Sequence, residues 1–246
     1  MKKLTSVREN GEDGELTKEV SKFYDEYHKK RDRQAPGWMK MYWGQFQGSV
    51  LEIGAGKLTP DKRDDISEYV VVEISPVVVR ILKESGINAL VANGEDLPFQ
   101  DNMFDTVACH DVLEHTPNPE EFISGMCRVS RNKIIIMGPN YCGEEESIMR
   151  KRSNLLRRTQ NILKGKHEEV IRFRNPHFTY NDEWESDLDA VTGINLWWIE
   201  RQLEKNGFEI ISSTTFIGRS NAILGRLPFV KYAGSMMFVV GRKVME

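Results

Sequence analysis

The chain has little cysteine, no long apolar run and no dominant charge, and each shortage narrows what it can be. Its three cysteines in 246 residues, Cys109, Cys127 and Cys142, are odd in number and nowhere spaced C-x-x-C. That argues against a disulfide framework or a thiolate zinc site and suits a reducing compartment. No segment approaches the roughly 20 apolar residues of a membrane-spanning helix. The opening MKKLTSVRENGEDGELTKEV has no apolar stretch after its lysines, so a soluble cytoplasmic protein without a membrane span is expected. A net charge of −3 carries no global signature for nucleic acid, and only a local cluster can speak for that partner. Composition fixes no oligomeric state. The length suits one large α/β domain with an insertion better than two separate cores.

What is present begins with VLEIGAG at Val50 to Gly56 and, 21 positions after Glu52, Glu73 at the end of VVVEIS. Val50, Leu51 and Ile53 read as a strand buried on both faces. Gly54 and Gly56, with Ala55 between them, let the backbone turn and approach a ligand closely. An acidic residue ending the next strand, about 20 positions on, is where an α/β nucleotide fold places the carboxylate that takes the ribose hydroxyls. The dinucleotide fingerprint G-x-G-x-x-G fails, because Thr59 stands where its third glycine belongs.

Along the chain, residues 1–15 read as a polar tail. Leu16 to Arg33 carries Val20, Phe23, Tyr24 and Tyr27 at helical spacing. KLTPDKRDDIS after the glycine turn holds Pro60 and little apolar face, which predicts at most a short or irregular helix. Ser75-Pro76 opens a helix that Gly86 stops. Asn88 to Val91 and Phe104 to Cys109 read as strands, Asn118-Pro119 caps a helix reaching about Ser130, and KIIIMG is a fifth strand. Five strands alternating with helices imply a parallel, doubly covered sheet. Leu196 to Asn206 is a helix closed by Gly207, followed by an antiparallel strand pair, Phe208 to Thr214 and Met236 to Arg242.

The E-x-G-x-G turn at Glu52, Gly54 and Gly56 resembles motif I of class I S-adenosylmethionine-dependent methyltransferases. ANGEDLPFQDNMFDTVACHDVLEH, Ala92 to His115, resembles the type-11 subfamily pattern A-D-A-E-x-L-P-F before F-D-x-V. The resemblance spans about residues 48–140 plus the terminal helix and hairpin. It implies a Rossmann-like, seven-stranded, mostly parallel sheet with an antiparallel last strand, helices on both faces and an insertion after strand 5. The single domain, 1–246, then divides into an N-terminal tail and helix (1–47), a cofactor-binding core (48–140), a substrate-side insertion (141–193) and a C-terminal helix and β-hairpin (194–246).

The same resemblance implies S-adenosyl-L-methionine as cofactor. Glu73, followed by Ile74, would meet the ribose, Asn93 and Gly94 the adenine, and Glu52 the neighbourhood of the methionine ammonium. Glu95 would touch cofactor or support the loop through backbone N–H groups, and Lys57 would meet the methionine carboxylate or point into water. His110, Asp111 and, in the insertion, His177 are the catalytic candidates. His110 is a candidate base and cofactor contact, and His177 is a candidate base, a fourth metal ligand or an ordinary loop histidine. Asp111, Glu114 and His115 have the i, i+3, i+4 spacing of one helical face and resemble the E-x-x-E-H metal motif of small-RNA 2′-O-methyltransferases. A divalent metal is one reading of them, and structural hydrogen bonding by Glu114 and His115 is the preferred one.

Between positions 150 and 174 stand Arg150, Lys151, Arg152, Arg157, Arg158, Lys164, Lys166, Arg172 and Arg174 against only Glu168 and Glu169. This cluster is either an anion-binding surface or a solvated helix with Leu155, Leu156, Ile162 and Leu163 packed inward. Trp184, Trp197 and Trp198 are candidates to line an acceptor pocket, with helix packing the expected role of the last two. The function expected is O-methylation of a small or glycan-like anionic acceptor. The alternatives are methylation of RNA held by residues 150–174, or binding of the cofactor without catalysis.

Overall fold

The computed structural model describes residues 18, 21–27, 37, 39–142, 155–168, 170–173, 190–216 and 231–244. Helix α1 covers residues 21–27 and α2 Met39–Trp43. The sheet strands of the core are β1 (Gly48–Ile53), β2 (Ile66–Glu73), β3 (Asn88–Val91), β4 (Phe104–His110) and β5 (Ser130–Pro139). Between them lie α3 (Pro76–Glu84) and α4 (Pro119–Val129). The insertion contributes α5 (Leu155–Leu163) and a small antiparallel pair, β6 (Ile171–Arg172) with β7 (Thr192–Gly193). The chain closes with α6 (Leu196–Lys205), β8 (Phe208–Phe216) and β9 (Met236–Lys243).

Seven strands form one sheet in the order β3-β2-β1-β4-β5-β9-β8. The first five run parallel, and β9 is antiparallel to both β5 and β8. The strand order reverses between β1 and β4, so a crevice opens beyond their carboxyl ends, where open α/β sheets bind ligands. Apolar runs such as VVV and III bury both faces. Leu51, Val107, Ile134 and Ile136 pack beneath α4 and α6, while Val50, Ala108, Ile135 and Met137 pack beneath α2.

Most local expectations hold, and the departures have physical causes. Ser75 caps α3 through Val78 N–H, and Gly207, at φ +82°, ends α6. Residues 57–64 form no helix; the run offers no apolar stripe that the sheet could bury. Asn118 makes no side-chain cap to α4, because its amide and its N–H are both turned to the Glu95 carboxylate. The expected helix over Leu16 to Arg33 is described only at residue 18 and residues 21–27, where Phe23 and Tyr27 are buried. The rest of it and residues 1–15 lie outside the described residues. No helix among the described residues is long and apolar enough to cross a membrane.

Candidate functional site

The crevice is organised by strand alternation. Successive residues of a strand point to opposite faces, so Val50 and Glu52 of β1, Tyr69, Val71 and Glu73 of β2, and Ala108 and His110 of β4 share one face. The parallel register sets Glu52 beside both Val71 and Ala108. Three ionisable groups, Glu52, Glu73 and His110, therefore arrive together at the carboxyl ends of neighbouring strands.

Glu73 is buried, and its Oε1 accepts the Gly56 N–H at 2.5 Å. Burial pushes its carboxyl up to about 7, against the lowering effect of the Gly56 and Ile74 backbone hydrogen bonds and of nearby His110; the charge of Glu52 raises it further. The turn it closes requires glycine. Gly54 and Gly56 have φ of +73° and +60°, and a Cβ on Gly54 would come within 2.3 Å of the Val112 side chain. Ala55 is buried between them. The Ile74 carbonyl accepts a hydrogen bond from Ser21 of α1, while Asp25 of α1 accepts from Ser75 Oγ and Val77 N–H. Tyr24 of the same helix meets His115 edge-on at 5.7 Å. Helix α1 thus bridges the loops after β2 and β4.

At the third loop, Asn93 Oδ1 accepts the Glu95 N–H, forming an Asx turn that leaves the NH₂ side of the amide for other partners. Gly94 is set by packing, since a Cβ there would lie 2.2 Å from the Phe122 ring. The Glu95 carboxylate accepts from Thr116 Oγ1, Asn118 N–H and the Asn118 amide. It ties this loop to the start of α4, the supporting alternative of the two weighed for it. Lys57 is partly exposed at the rim.

Glu52 has no exposed surface. Its Oε2 accepts the Tyr69 hydroxyl, and its Oε1 lies 3.5 Å from His110 Nδ1. Tyr42 of α2 covers the cluster with its ring 5.2 Å from the imidazole. Burial, then the Glu52 charge, holds both phenols well above their ordinary range, so they remain neutral donors. Burial also pulls His110 down, but the neighbouring Glu52 carboxylate and the charges of Asp111 and Glu73 outweigh it, and the imidazole ends above its ordinary value. Sequence reasoning missed Tyr42 and Tyr69. For Tyr69 a signal existed, because it stands four residues before Glu73 and so on the same strand face.

The S-adenosylmethionine expectation can be tested against these groups. Glu73 offers a carboxylate beside a glycine turn that a Cβ would fill, and Glu52 Oε1 is a buried acceptor without a hydrogen bond. Acceptors there suit ribose hydroxyls and a cationic ammonium. The residues fit that cofactor.

Asp111, Glu114 and His115 do not form the expected helical face. Asp111 has φ of +49°, and the only helical turn is a 3-10 turn over Leu113–His115. A left-handed residue breaks the periodicity on which i, i+3, i+4 alignment depends. Among the described residues no group of three His, Cys, Asp or Glu is placed to hold a metal. Glu114 is buried beside His115, 3.6 Å from its Nε2. His177 and Trp184 lie outside the described residues. Trp198 is core, and Trp197 lies partly buried with Arg201 over its ring.

The basic cluster splits in the same unexpected way. Arg158 is fully buried and donates to the carbonyls of Asn140, Ala233 and Gly234. Arg172 holds the Pro117 carbonyl and Thr192 Oγ1. Arg157, Lys164 and Lys166 are exposed, whereas Arg150, Lys151, Arg152 and Arg174 lie outside the described residues. The inward packing expected of Leu156 and Leu163 is reversed: they are 68% and 78% exposed, because α5 turns Arg158 toward the domain instead. Leu155 has no described side chain. The three cysteines are buried.

Residues 51–136 match the family described as "Methyltransferase domain". An uncharacterised protein of Methanocaldococcus jannaschii is 39% identical over 92 residues, a span of 37% of this chain and 44% of that protein. The chain thus aligns with less than half the length of that curated relative. A putative methyltransferase from Haloferax volcanii, solved in complex with the Trm112 methyltransferase activator, superposes with a TM-score of 0.56 at 14% identity, over 98% of this chain and 100% of that one. A SAM-dependent methyltransferase from Thermotoga maritima, titled a possible histamine N-methyltransferase, superposes with a TM-score of 0.54 at 16% identity, over 92% and 99%. At these identities the structural likeness speaks for the fold.

Proposed function

We propose, from the premise that residues 51–136 are a class I S-adenosylmethionine-dependent methyltransferase domain of the type-11 kind, that the whole chain methylates an oxygen of a small or glycan-like anionic acceptor. The observation that carries this reading is the buried Glu73 carboxylate held against Gly56 N–H at the glycine turn. When bound, the cofactor would supply an electrophilic methyl group to the acceptor oxygen, its sulfur leaving with the bonding pair. The chain's part is alignment in a water-poor crevice.

Glu73 accepts the ribose hydroxyls and Ile74 carries the chain past them. Gly54, Ala55 and Gly56 give close backbone approach. Gly94 N–H and the Asn93 amide face the adenine edge, and Glu95 buttresses their loop through Thr116 and Asn118. His110, the last residue of β4, takes the acceptor's proton, and Asp111 borders the acceptor on the same loop. The exposed Arg157, Lys164 and Lys166 supply positive charge for an anionic acceptor. Three buried cysteines without C-x-x-C spacing suit the reducing cytoplasm.

Calorimetry with S-adenosylmethionine and with its demethylated product tests the cofactor reading. Binding of both, weakened in Glu73→Gln, is expected; no binding of either overturns it. Transfer of labelled methyl groups into a fractionated cell extract, with and without chelator, then identifies the acceptor. Equal incorporation with chelator is expected, and a requirement for added Mg²⁺ or Mn²⁺ would reinstate a metal.

A further inference from the structure

We propose that Glu52 is a positioning residue for His110, and that its carboxylate, anchored by Tyr69, fixes the imidazole as the tautomer with hydrogen on Nδ1 and the lone pair on Nε2. This deepens the methyltransferase reading and rests on it. It also gives Glu52 a role different from the one its place in the glycine motif implies.

A carboxylate with no exposed surface needs partners for both oxygens, and Glu52 is such a group. Oε2 accepts from the Tyr69 hydroxyl, which fixes the carboxylate plane. Oε1 faces His110 Nδ1 at 3.5 Å, with the Tyr42 phenol on the same carboxylate. That separation exceeds a strong hydrogen bond, and contacts of this kind commonly shorten when ligand closes the site. Tyr42 packs against the imidazole from α2, its ring tilted 58° to it, so the imidazole is held by packing as well as by charge.

The other groups near the imidazole sharpen the assignment. Glu73 and Glu52 contribute negative charge from β2 and β1, Asp111 adds more from the next position, and the phenols of Tyr42 and Tyr69 stay neutral. Among them Glu52 is the carboxylate at Nδ1. An imidazole donating from Nδ1 keeps its basic pair on Nε2, the arrangement by which a carboxylate orients a histidine base. In the reaction Nε2 receives the proton that the acceptor hydroxyl gives up, the imidazolium sits beside Glu52, and the proton leaves to water in the next cycle.

The experiment is a ring ¹⁵N–¹H correlation on the labelled full chain at alkaline pH, where the imidazole is neutral. The His110 signals are assigned by their loss in His110→Gln. The wild type is expected to show hydrogen on Nδ1. Glu52→Met, which keeps length and removes the acceptor, should shift His110 toward the Nε2–H form, and Glu52→Asp should restore the Nδ1–H form in part. A wild-type His110 carrying its hydrogen on Nε2 overturns the proposal without any variant. So does an unchanged tautomer in folded Glu52→Met. Calorimetry on the wild type separates the two ideas. Cofactor binding with the wrong tautomer sinks only the dyad, whereas no cofactor binding sinks the methyltransferase reading whatever the tautomer.

Discussion

Around Glu73 every candidate ligand group sits at or just beyond the end of a strand whose register is fixed by its neighbours, whereas α5, in the insertion after β5, is fastened by single side chains. Glu52, Glu73 and His110 take their places because β1, β2 and β4 pair in one register. By contrast, α5 is tied down through Arg158, which gathers three carbonyls from the end of β5 and the segment before β9, and through Asn161, which donates to the Cys142 carbonyl. Register is distributed over many hydrogen bonds and tolerates the loss of one. An anchor concentrated in one guanidinium does not, since removing it strands buried acceptors.

The sharpest way to break this contrast is Arg158→Met. Unpairing several buried carbonyls should lower unfolding free energy in urea by ~3 kcal/mol or more. Cofactor affinity by calorimetry should stay within a few-fold, and a collapse of affinity along with stability would show the two regions to be one unit. Next in size is Glu73→Gln. It removes a charge-assisted acceptor and should cost about 2 kcal/mol of cofactor binding, roughly thirtyfold. Stability should hold or rise, because a buried charge is gone.

The pH dependence is smaller per step and has a definite sign. Burial raises the Glu73 carboxyl to about 7, so below that pH it is protonated and loses acceptor capacity. Cofactor affinity should fall as pH drops below 7, by no more than the roughly thirtyfold expected of Glu73→Gln, and level off above. The fold responds oppositely: a raised carboxyl contributes stability that is fully present below its ordinary range and is lost as pH rises through 7. Affinity independent of pH from 5 to 8 would remove ionised Glu73 from the site. The smallest expected effect is Arg157→Glu on exposed α5, within about 0.5 kcal/mol of wild-type stability. A weakened pull on an anionic acceptor, read as a raised KM in the labelled-methyl assay, would show that this surface serves the site without supporting the fold.

Particular residues show where legibility in the sequence stopped. Ser75-Pro76 and Gly207 announced their helix ends because capping and positive φ are local requirements. Asn118 carried the same cap signal and did something else, because Glu95, distant in sequence, claimed its amide and its N–H. Asp111, Glu114 and His115 looked like one helical face only while the backbone was assumed regular. Arg158 looked like one more surface cation, since no pattern along the chain reveals that carbonyls from residues 140, 233 and 234 converge on it.

By itself the sequence determined the parallel sheet, the glycine turn and the acidic residue beyond the next strand, because periodicity, φ > 0 and strand spacing are written in short stretches of residue types. Tertiary structure alone decided that Tyr42 and Tyr69 enclose Glu52 beside His110, and that one arginine of a basic run becomes the buried anchor of the insertion. Those outcomes depend on groups far apart in the chain competing for the same buried partners, and only the packed fold brings them within reach of each other.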